Sequence, residues 1–184
     1  MVDIMGHLAM GLLWAAPAWF VWNDRVSPAF VLLVLPASLL PDVDLWLSKL
    51  MPGSFHHHGV THTVVFVALV SLVVAGLVAA FFSRPFDRWL PSERFDTRRV
   101  FGFVGGAVLV GGLSHLFADV LSAPDIASPI EPLWPLYPHP FGIDLIWYNS
   151  PVWNVGLLTV AVALHVGLAY ATVPFGRSYS VRRS

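Results

Sequence analysis

The sequence contains a run of nineteen residues, 64–82, in which no side chain is charged. A helix of about 20 predominantly apolar residues crosses a hydrocarbon core that is roughly 30 Å thick. Two further segments, 100–121 and 152–175, are equally long and carry only a few polar interruptions. These three segments predict an all-α integral membrane protein.

The composition leads to the same class of protein. Hydrophobic residues make up 57% of the 184 residues and charged residues only 11%, against roughly 25% charged in an ordinary soluble domain. Intrinsic disorder requires low hydrophobicity and high net charge, so this composition excludes it. A formal net charge of −1 provides no general attraction for nucleic acid, so the lipid bilayer is the expected partner. The chain has no cysteine, which excludes disulfide bonds, a Cys-type zinc site and a thiol nucleophile.

Two more apolar segments, 4–22 and 26–40, lie near the N-terminus. The second is short and contains Pro28 and Pro36, so a tilted, kinked or re-entrant helix is open there as well as a full span. Counting both gives a single membrane domain of about five transmembrane helices.

The basic residues predict the orientation, because Lys and Arg in short loops are retained on the cytoplasmic side. If five helices alternate, nine of the ten basic residues fall on one face, which includes the loop 83–99 and the basic C-terminal tail 176–184. The prediction is therefore an N-out, C-in protein of the cell (inner, cytoplasmic) membrane. The Pro-rich, aromatic loop 122–151 then lies outside.

The same alternation gathers the histidines and many acids at the outer face. Seven of the eight histidines and seven of the eleven acidic residues lie at or near it. Only the basic residues were used to set the orientation, so this convergence independently indicates one polar site at the outer ends of the helices.

His115 and Asp119 are four residues apart in the apolar segment 100–121, and this spacing places them on one helix face. Ionisable groups inside a membrane helix are costly and usually face a bundle interior or a watery cavity. A metal site and a structural His–Asp hydrogen bond explain this pair equally well. Nearby glycines, including the GxxxG pair Gly102 and Gly106, predict close packing within the molecule.

The segment 56–63 holds four histidines, and neutral imidazole is a good ligand for zinc and related metals. Gly59 allows the backbone to turn so that His57, His58 and His62 can face one point. Chance histidines in a polar loop are the alternative, and the density of imidazoles favours metal binding.

Two carboxylates, Asp42 and Asp44, follow the second apolar segment. They could chelate a metal, or divide between a ligand and a general base. Taken alone, helix capping explains them better. The combination with His7 and the other two motifs favours a metal cluster. The aromatic residues of the outer loop 122–151 indicate an interfacial belt, and the alternative is a lid or substrate platform beside the metal, with His139 and Asp144 as peripheral ligands.

Four short motifs occur in a fixed order: Gly6-His7, the box 39–44 (LLPDVD), the box 57–62 (HHGVTH) and the box 114–119 (SHLFAD). In this order they resemble the YdjM-like family of membrane-bound, metal-dependent hydrolases of bacteria and archaea, and more distantly the zinc-dependent phospholipase C and single-strand nuclease superfamily. The resemblance implies a metal-binding set consisting of His7, Asp42, Asp44, His57, His62, His115 and Asp119. If this set binds a metal, whichever of Asp42 and Asp44 remains free is the expected general base for the bound water. His58 stands where the family commonly has Arg, which makes it an extra candidate ligand.

The expected function is hydrolysis of an ester or phosphoester, with a lipid or another amphiphilic ester as substrate at the outer interface. The expected cofactor is a divalent metal, zinc first, as one or more ions, which activates the attacking water. A metal or proton transporter is the first alternative, but only His165 lies near mid-membrane and no internal repeat is visible. A non-catalytic scaffold with a structural metal is the second alternative.

Overall fold

The computed structural model describes residues 2–22, 25–53, 57–90 and 94–172. These residues form helices and irregular connections, and no β-strand occurs among them. In chain order the elements are α1 (Ile4–Ala15), α2 (Ala18–Val21), α3 (Val26–Ala37), α4 (Val43–Leu50), a 3₁₀ turn (Val60–His62), α5 (Val64–Trp89), α6 (Thr97–Leu121), a π-helical turn (Val152–Gly156) and α7 (Leu157–Thr172).

Four helical stretches of the described chain are long and apolar enough to cross a membrane, which confirms the predicted all-α membrane protein. They are Ile4–Val21, Val64–Trp89, Thr97–Leu121 and Val152–Thr172. The remaining apolar segment forms α3, which has only 12 residues. Its helix ends at Ala37, one residue after Pro36, so it is shorter than the predicted segment 26–40 and shorter than a standard span.

Two of the long helices extend beyond the apolar segments that predict them. The helix α5 continues to Trp89, and α6 begins at Thr97, where the Asp96 carboxylate accepts a hydrogen bond from the Arg99 N–H at 2.8 Å. Arginine has a good helix propensity, so a charged turn ends the apolar run without ending the helix. The connection predicted at 83–99 is therefore shorter. Residues 173–184, with the predicted basic tail, lie outside the described residues.

The helix α6 packs against α1, α3 and α5. A Cβ atom built on Gly111 would lie 2.6 Å from the Cβ of Ala37, and one on Gly112 would lie 2.5 Å from a methyl of Val67. The two helix backbones next to α6 therefore approach it closely at these glycines. At Gly102 no described atom lies within 4 Å of such a Cβ, so the close packing predicted from the GxxxG pair occurs further along the helix.

The imidazole of His165 joins α7 to the first two helices. Its Nδ1 accepts a hydrogen bond from the Trp19 indole N–H at 2.8 Å, and its Nε2–H donates to the Leu12 carbonyl oxygen at 2.8 Å. One nitrogen accepts and the other donates, so the ring is neutral. This histidine therefore links α7 to α1 and α2 through hydrogen bonds.

Replacing His165 by Leu should therefore destabilise the helix bundle by about 1–3 kcal/mol, because the buried Trp19 N–H loses its acceptor. Thermal unfolding in detergent measures this change. The exposed neighbour variant Leu164→Ala should stay within about 0.5 kcal/mol of the unmodified protein. Equal stability of His165→Leu and Leu164→Ala would contradict the assignment.

The helix directions bring the polar motifs to one end of the bundle. At this end α1 and α5 begin, while α3 and α6 finish. Segment 122–151 covers the same end, where the Val64 N–H donates to the Pro132 carbonyl and the Ala123 N–H to the Ile146 carbonyl. The described arginines lie toward the opposite ends of the helices, at Arg25, Arg84, Arg88, Arg94, Arg98 and Arg99.

A candidate metal centre

Eight histidine and aspartate side chains from four segments meet at this end of the bundle. The His/Asp cluster consists of His7, Asp42, Asp44, His57, His58, His62, His115 and Asp119. Three of the imidazoles are fully buried, and so is nearly all of Asp44 and Asp119. Such groups are almost never fully buried unless they are paired or bind a metal.

The two helices of the cluster deliver their residues by simple periodicity. His7 lies in the first turns of α1, whose start is capped by the carboxylate of Asp3, 2.7 Å from the Ile4 N–H. His115 and Asp119 lie on successive turns of α6, and the His115 Nε2 is 3.1 Å from Asp119 Oδ2. The spacing of four residues thus places both groups on the same face, as the sequence predicts.

The two carboxylates after α3 do not act as helix caps. Asp42 occupies the N-cap position of α4, but its side chain makes no capping hydrogen bond. Instead its Oδ1 lies 3.5 Å from both His62 Nε2 and His115 Nε2. Asp44 is buried and accepts a hydrogen bond from the Thr61 hydroxyl at 2.9 Å. Both carboxylates are therefore directed at the histidines.

The loop before α5 turns at His58, whereas the sequence indicated Gly59. His58 has a φ of +64°, which is uncommon for a residue with a side chain, while Gly59 has a negative φ of −86°. The turn brings the His58 ring against segment 122–151, where its Nδ1–H donates to the Ser128 carbonyl oxygen. The left-handed backbone conformation of His58 thus determines the orientation of its imidazole.

Contacts at Nδ1 orient three further rings, those of His57, His62 and His115. The His115 Nδ1–H donates to the Ser38 carbonyl oxygen at 2.7 Å, and because a carbonyl only accepts, this nitrogen carries the proton. Asp44 holds two rings: its Oδ1 lies 3.0 Å from His57 Nδ1, and its Oδ2 lies 3.2 Å from His62 Nδ1. Hydrogen bonds of this kind fix metal-binding histidines with Nε2 toward the ion.

The Nε2 atoms face one another at distances that suit a cation. The His62 Nε2 and His115 Nε2 are 3.2 Å apart, and Asp119 Oδ2 lies 3.6 Å and 3.1 Å from them, respectively. Tetrahedral zinc with bonds of 2.0–2.1 Å separates its ligand atoms by about 3.3 Å. The triangle of these three atoms therefore has nearly the dimensions that a bound zinc ion requires.

Unpaired buried atoms give a second test of the fit. Eight buried side-chain nitrogen and oxygen atoms of the described residues lack a hydrogen-bond partner, and seven of them belong to the His/Asp cluster. They are both ring nitrogens of His7, Asp42 Oδ1, His57 Nε2, His58 Nε2 and both carboxylate oxygens of Asp119. An unpaired buried polar atom is costly, and a cation would satisfy several of these at once. The residues fit a metal ion.

The charges in the loops also favour a cation. Burial lowers the pKa of the His62 imidazole, but the neighbouring Asp42 and Asp44 carboxylates outweigh it and raise this pKa to about 9. Burial raises the pKa of the Asp44 carboxyl, and its hydrogen bonds with His57 and His62 reverse the direction and lower it. The carboxylates thus stabilise positive charge at His62, where a metal ion would take the place of a proton.

Two predicted peripheral ligands lie elsewhere. His139 is exposed and stacks on Tyr137 with ring centroids 4.3 Å apart, and Asp144 is exposed with a φ of +52°. Neither belongs to the groups of described residues that could hold a metal. The carbonyl groups of Ser38 and Ser128 were not predicted, because any residue supplies a carbonyl and only the fold shows which one is near. Thr61 lies in the motif 57–62, but the motif alone does not predict the hydrogen bond that its hydroxyl donates to Asp44.

The helices and this cluster define an all-helical membrane protein with buried His/Asp groups that could hold a metal ion. More particularly, the chain belongs to the YdjM inner membrane protein family, whose model matches residues 1–180. The match confirms the family resemblance of the ordered motifs and associates the chain with an inner membrane. No curated protein and no solved structure matches the chain.

Proposed function

We propose that this protein is a membrane-bound, metal-dependent hydrolase that cleaves an ester or phosphoester of an amphiphilic, lipid-like substrate. The observation that carries the proposal is the set of short distances among His62 Nε2, His115 Nε2 and Asp119 Oδ2. A divalent cation such as zinc, when held there, polarises a scissile oxygen and lowers the pKa of water.

The chain's own residues divide the remaining tasks. His62, His115 and Asp119 hold the cation through atoms that are already at ligand spacing. Asp44 positions two rings, because each of its oxygens lies beside an imidazole Nδ1. Asp42 is the more accessible of the two loop carboxylates, with 14% of its side chain exposed against 1% for Asp44. Asp42 is therefore the better general base.

A cavity beside the cluster supplies a route for the substrate. Its volume is about 360 Å³, and it is lined by His58, Gly59, Val60, Thr63, Ser128, Pro129, Glu131 and Trp134. The lining is both polar and apolar, which suits a molecule with a polar group and a hydrocarbon part. Because His58 belongs to the cluster and to this wall, a substrate in the cavity would lie beside the candidate metal centre.

The location of the arginines supports a site on the extracytoplasmic side. The described arginines lie toward the helix ends opposite the His/Asp cluster. Basic residues are retained on the cytoplasmic side of a membrane protein. The cluster would therefore face outward, as the sequence predicts.

The test is turnover of generic phosphodiester and carboxyl-ester substrates by purified protein with zinc, with and without a chelator. We expect turnover that the chelator abolishes. The variant Asp42→Asn should lower kcat by about 100-fold or more, because a general base contributes 10²–10⁴-fold. The matched variant Asp144→Asn should behave like the unmodified protein, since Asp144 is exposed and outside the cluster. Absence of metal would overturn the proposal.

The burial of the cluster favours one alternative, a structural metal in a non-catalytic membrane protein. Structural sites are closed, and the rings of His7, His62 and His115 are fully buried. Metal binding without turnover of any ester would support this alternative. Transport has less support, because the mid-membrane His165 is occupied by hydrogen bonds to Trp19 and Leu12.

A further inference from the structure

We propose that a groove between α3 and α5 binds an anionic phospholipid, with the lipid phosphate at Arg25 and an acyl chain along α3. The groove lies where α3 begins and α5 ends, whereas the His/Asp cluster lies where α3 ends and α5 begins. The lipid site is therefore separate from the candidate metal centre and does not depend on hydrolysis there.

The groove exists because α3 and α5 both pack against α6 and leave a cleft between them. Its volume is about 470 Å³, within the range of roughly 300–1,000 Å³ that is typical of small-molecule sites. One wall is a single face of α3, formed by Pro28, Ala29, Leu32 and Leu33. Leu32 is exposed, so the groove opens toward the surrounding lipid. Hydrocarbon is the medium that fills such a cleft in a bilayer.

The groove has a polar end and an apolar length. Arg25, the N-cap residue of α3, is the only charged residue among those that line it. The exposed Trp89 of α5 also lines the groove, and tryptophan is enriched at the level of the lipid headgroups. Leu32 lies seven residues further along α3, about 11 Å deeper in the bundle. A charged headgroup above and a hydrocarbon chain below would match this arrangement.

The charge of the polar end favours an anionic headgroup. The first turn of α3 contains no acidic residue, and the positive end of the helix dipole adds to the charge of Arg25. On the opposite wall, the Asp87 carboxylate near the end of α5 accepts a hydrogen bond from the Phe95 N–H at 3.1 Å, in the connection to α6. A basic residue at the membrane surface attracts anionic lipids.

The same charge disfavours a protein segment as the occupant. Residues 173–184 contain three arginines and no acidic residue, so Arg25 would repel this tail. A second copy of the chain would bring its own arginine-rich end to the groove. A phospholipid supplies both the negative charge and the hydrocarbon chain that the groove requires, and the bilayer provides it at high concentration.

The test uses a fluorophore attached to the variant Leu32→Cys, which labels the groove alone because the chain has no other cysteine. The protein is placed in phosphatidylcholine vesicles, and phosphatidylglycerol or phosphatidylcholine with brominated acyl chains is added as the quencher. Brominated phosphatidylglycerol should reach half-maximal quenching at about one fifth of the mole fraction, because one basic residue near the surface contributes about fivefold in affinity. The matched label at Val166→Cys, which is exposed on α7 and outside the groove, should be quenched equally by both lipids.

Variants of the basic residues identify the headgroup contact. In the Leu32→Cys chain, Arg25→Gln should raise the half-quenching mole fraction of phosphatidylglycerol by about fivefold. Arg25→Lys keeps the charge and should retain most of the preference. Arg98→Gln removes an exposed arginine at the same end of the bundle that does not line the groove, and it should leave the preference unchanged.

Equal quenching by the two lipids at Leu32→Cys, or equal effects of Arg25→Gln and Arg98→Gln, would overturn the lipid site. Weak quenching by both lipids would also overturn it. Disulfide-linked dimers of unlabelled Leu32→Cys would then identify a second copy as the occupant, and their absence would indicate the C-terminal tail. None of these outcomes bears on the proposed hydrolase, which zinc content and turnover test separately.

Discussion

We expect the variant Asp119→Asn to bind zinc far more weakly than the unmodified protein while its helices remain assembled. Asp119 is buried, and its two oxygens lie near four imidazoles of the cluster, on α1, α6 and the loop before α5. Removing only an outer hydrogen-bond partner of a metal ligand costs 10–100-fold in affinity, so losing a direct ligand should cost about 100-fold or more. Zinc affinity measured by competition with a chromogenic chelator, together with circular dichroism, gives both quantities.

The matched variant is Asp144→Asn, which makes the same chemical change at an exposed acid of segment 122–151. Asparagine also tolerates the positive φ of this position. Its zinc affinity and turnover should equal those of the unmodified protein. Full zinc content in Asp119→Asn would show that the carboxylate is not a ligand, and reduced zinc content in Asp144→Asn would show that the outer segment contributes one.

The variant Gly111→Ala will destabilise the bundle and weaken zinc binding together. The new Cβ would lie 2.6 Å from the Ala37 Cβ and 2.7 Å from the Val34 carbonyl oxygen, so α6 and α3 must separate. Overpacking of this kind costs about 1–3 kcal/mol. Gly111 is one turn from His115, whose Nδ1–H bonds to Ser38 at the end of α3. Separating the helices therefore disturbs the orientation of a metal ligand.

The control is Gly102→Ala on the same helix, where no described atom lies within 4 Å of the new Cβ. Alanine favours a helix over glycine by about 1 kcal/mol, so this variant should be as stable as the unmodified protein or slightly more so. Thermal unfolding and zinc titration of both variants provide the measurement. If Gly111→Ala and Gly102→Ala unfold at the same temperature, close packing at Gly111 is not needed.

Residue chemistry and helical periodicity made much of this structure predictable. The apolar runs predict the long helices, since a bilayer requires that length, and the spacing of His115 and Asp119 predicts their shared face. The end of α3 was less predictable, because Pro36 is compatible with either a kink or a terminus. Likewise, a GxxxG spacing identifies a helix face of small residues, but it does not show which glycine the neighbouring helix approaches.

The site was predictable as a set of residue types and less so as an arrangement. A sequence shows that four histidines lie close together in 56–63, but which ring faces Asp119 depends on the φ of His58 and on the Ser128 carbonyl. It shows two carboxylates that are two residues apart, Asp42 and Asp44. Their different roles depend on a contact that only the fold reveals, because both oxygens of Asp44 lie beside imidazole Nδ1 atoms. Long-range contacts of this kind have no local signal.

The cluster joins the beginning of the chain to its penultimate long helix, since His7 stacks directly on His115. During synthesis the first helix, the Asp42–Asp44 turn and the histidine loop all emerge before α6, and none of them completes the cluster alone. Metal binding by the complete cluster would therefore require that membrane insertion has proceeded through α6. A chain interrupted earlier exposes several imidazoles and carboxylates but lacks the Asp119 carboxylate that lies between them. The zinc affinity of the complete cluster would then depend on correct assembly in the membrane as well as on ligand chemistry.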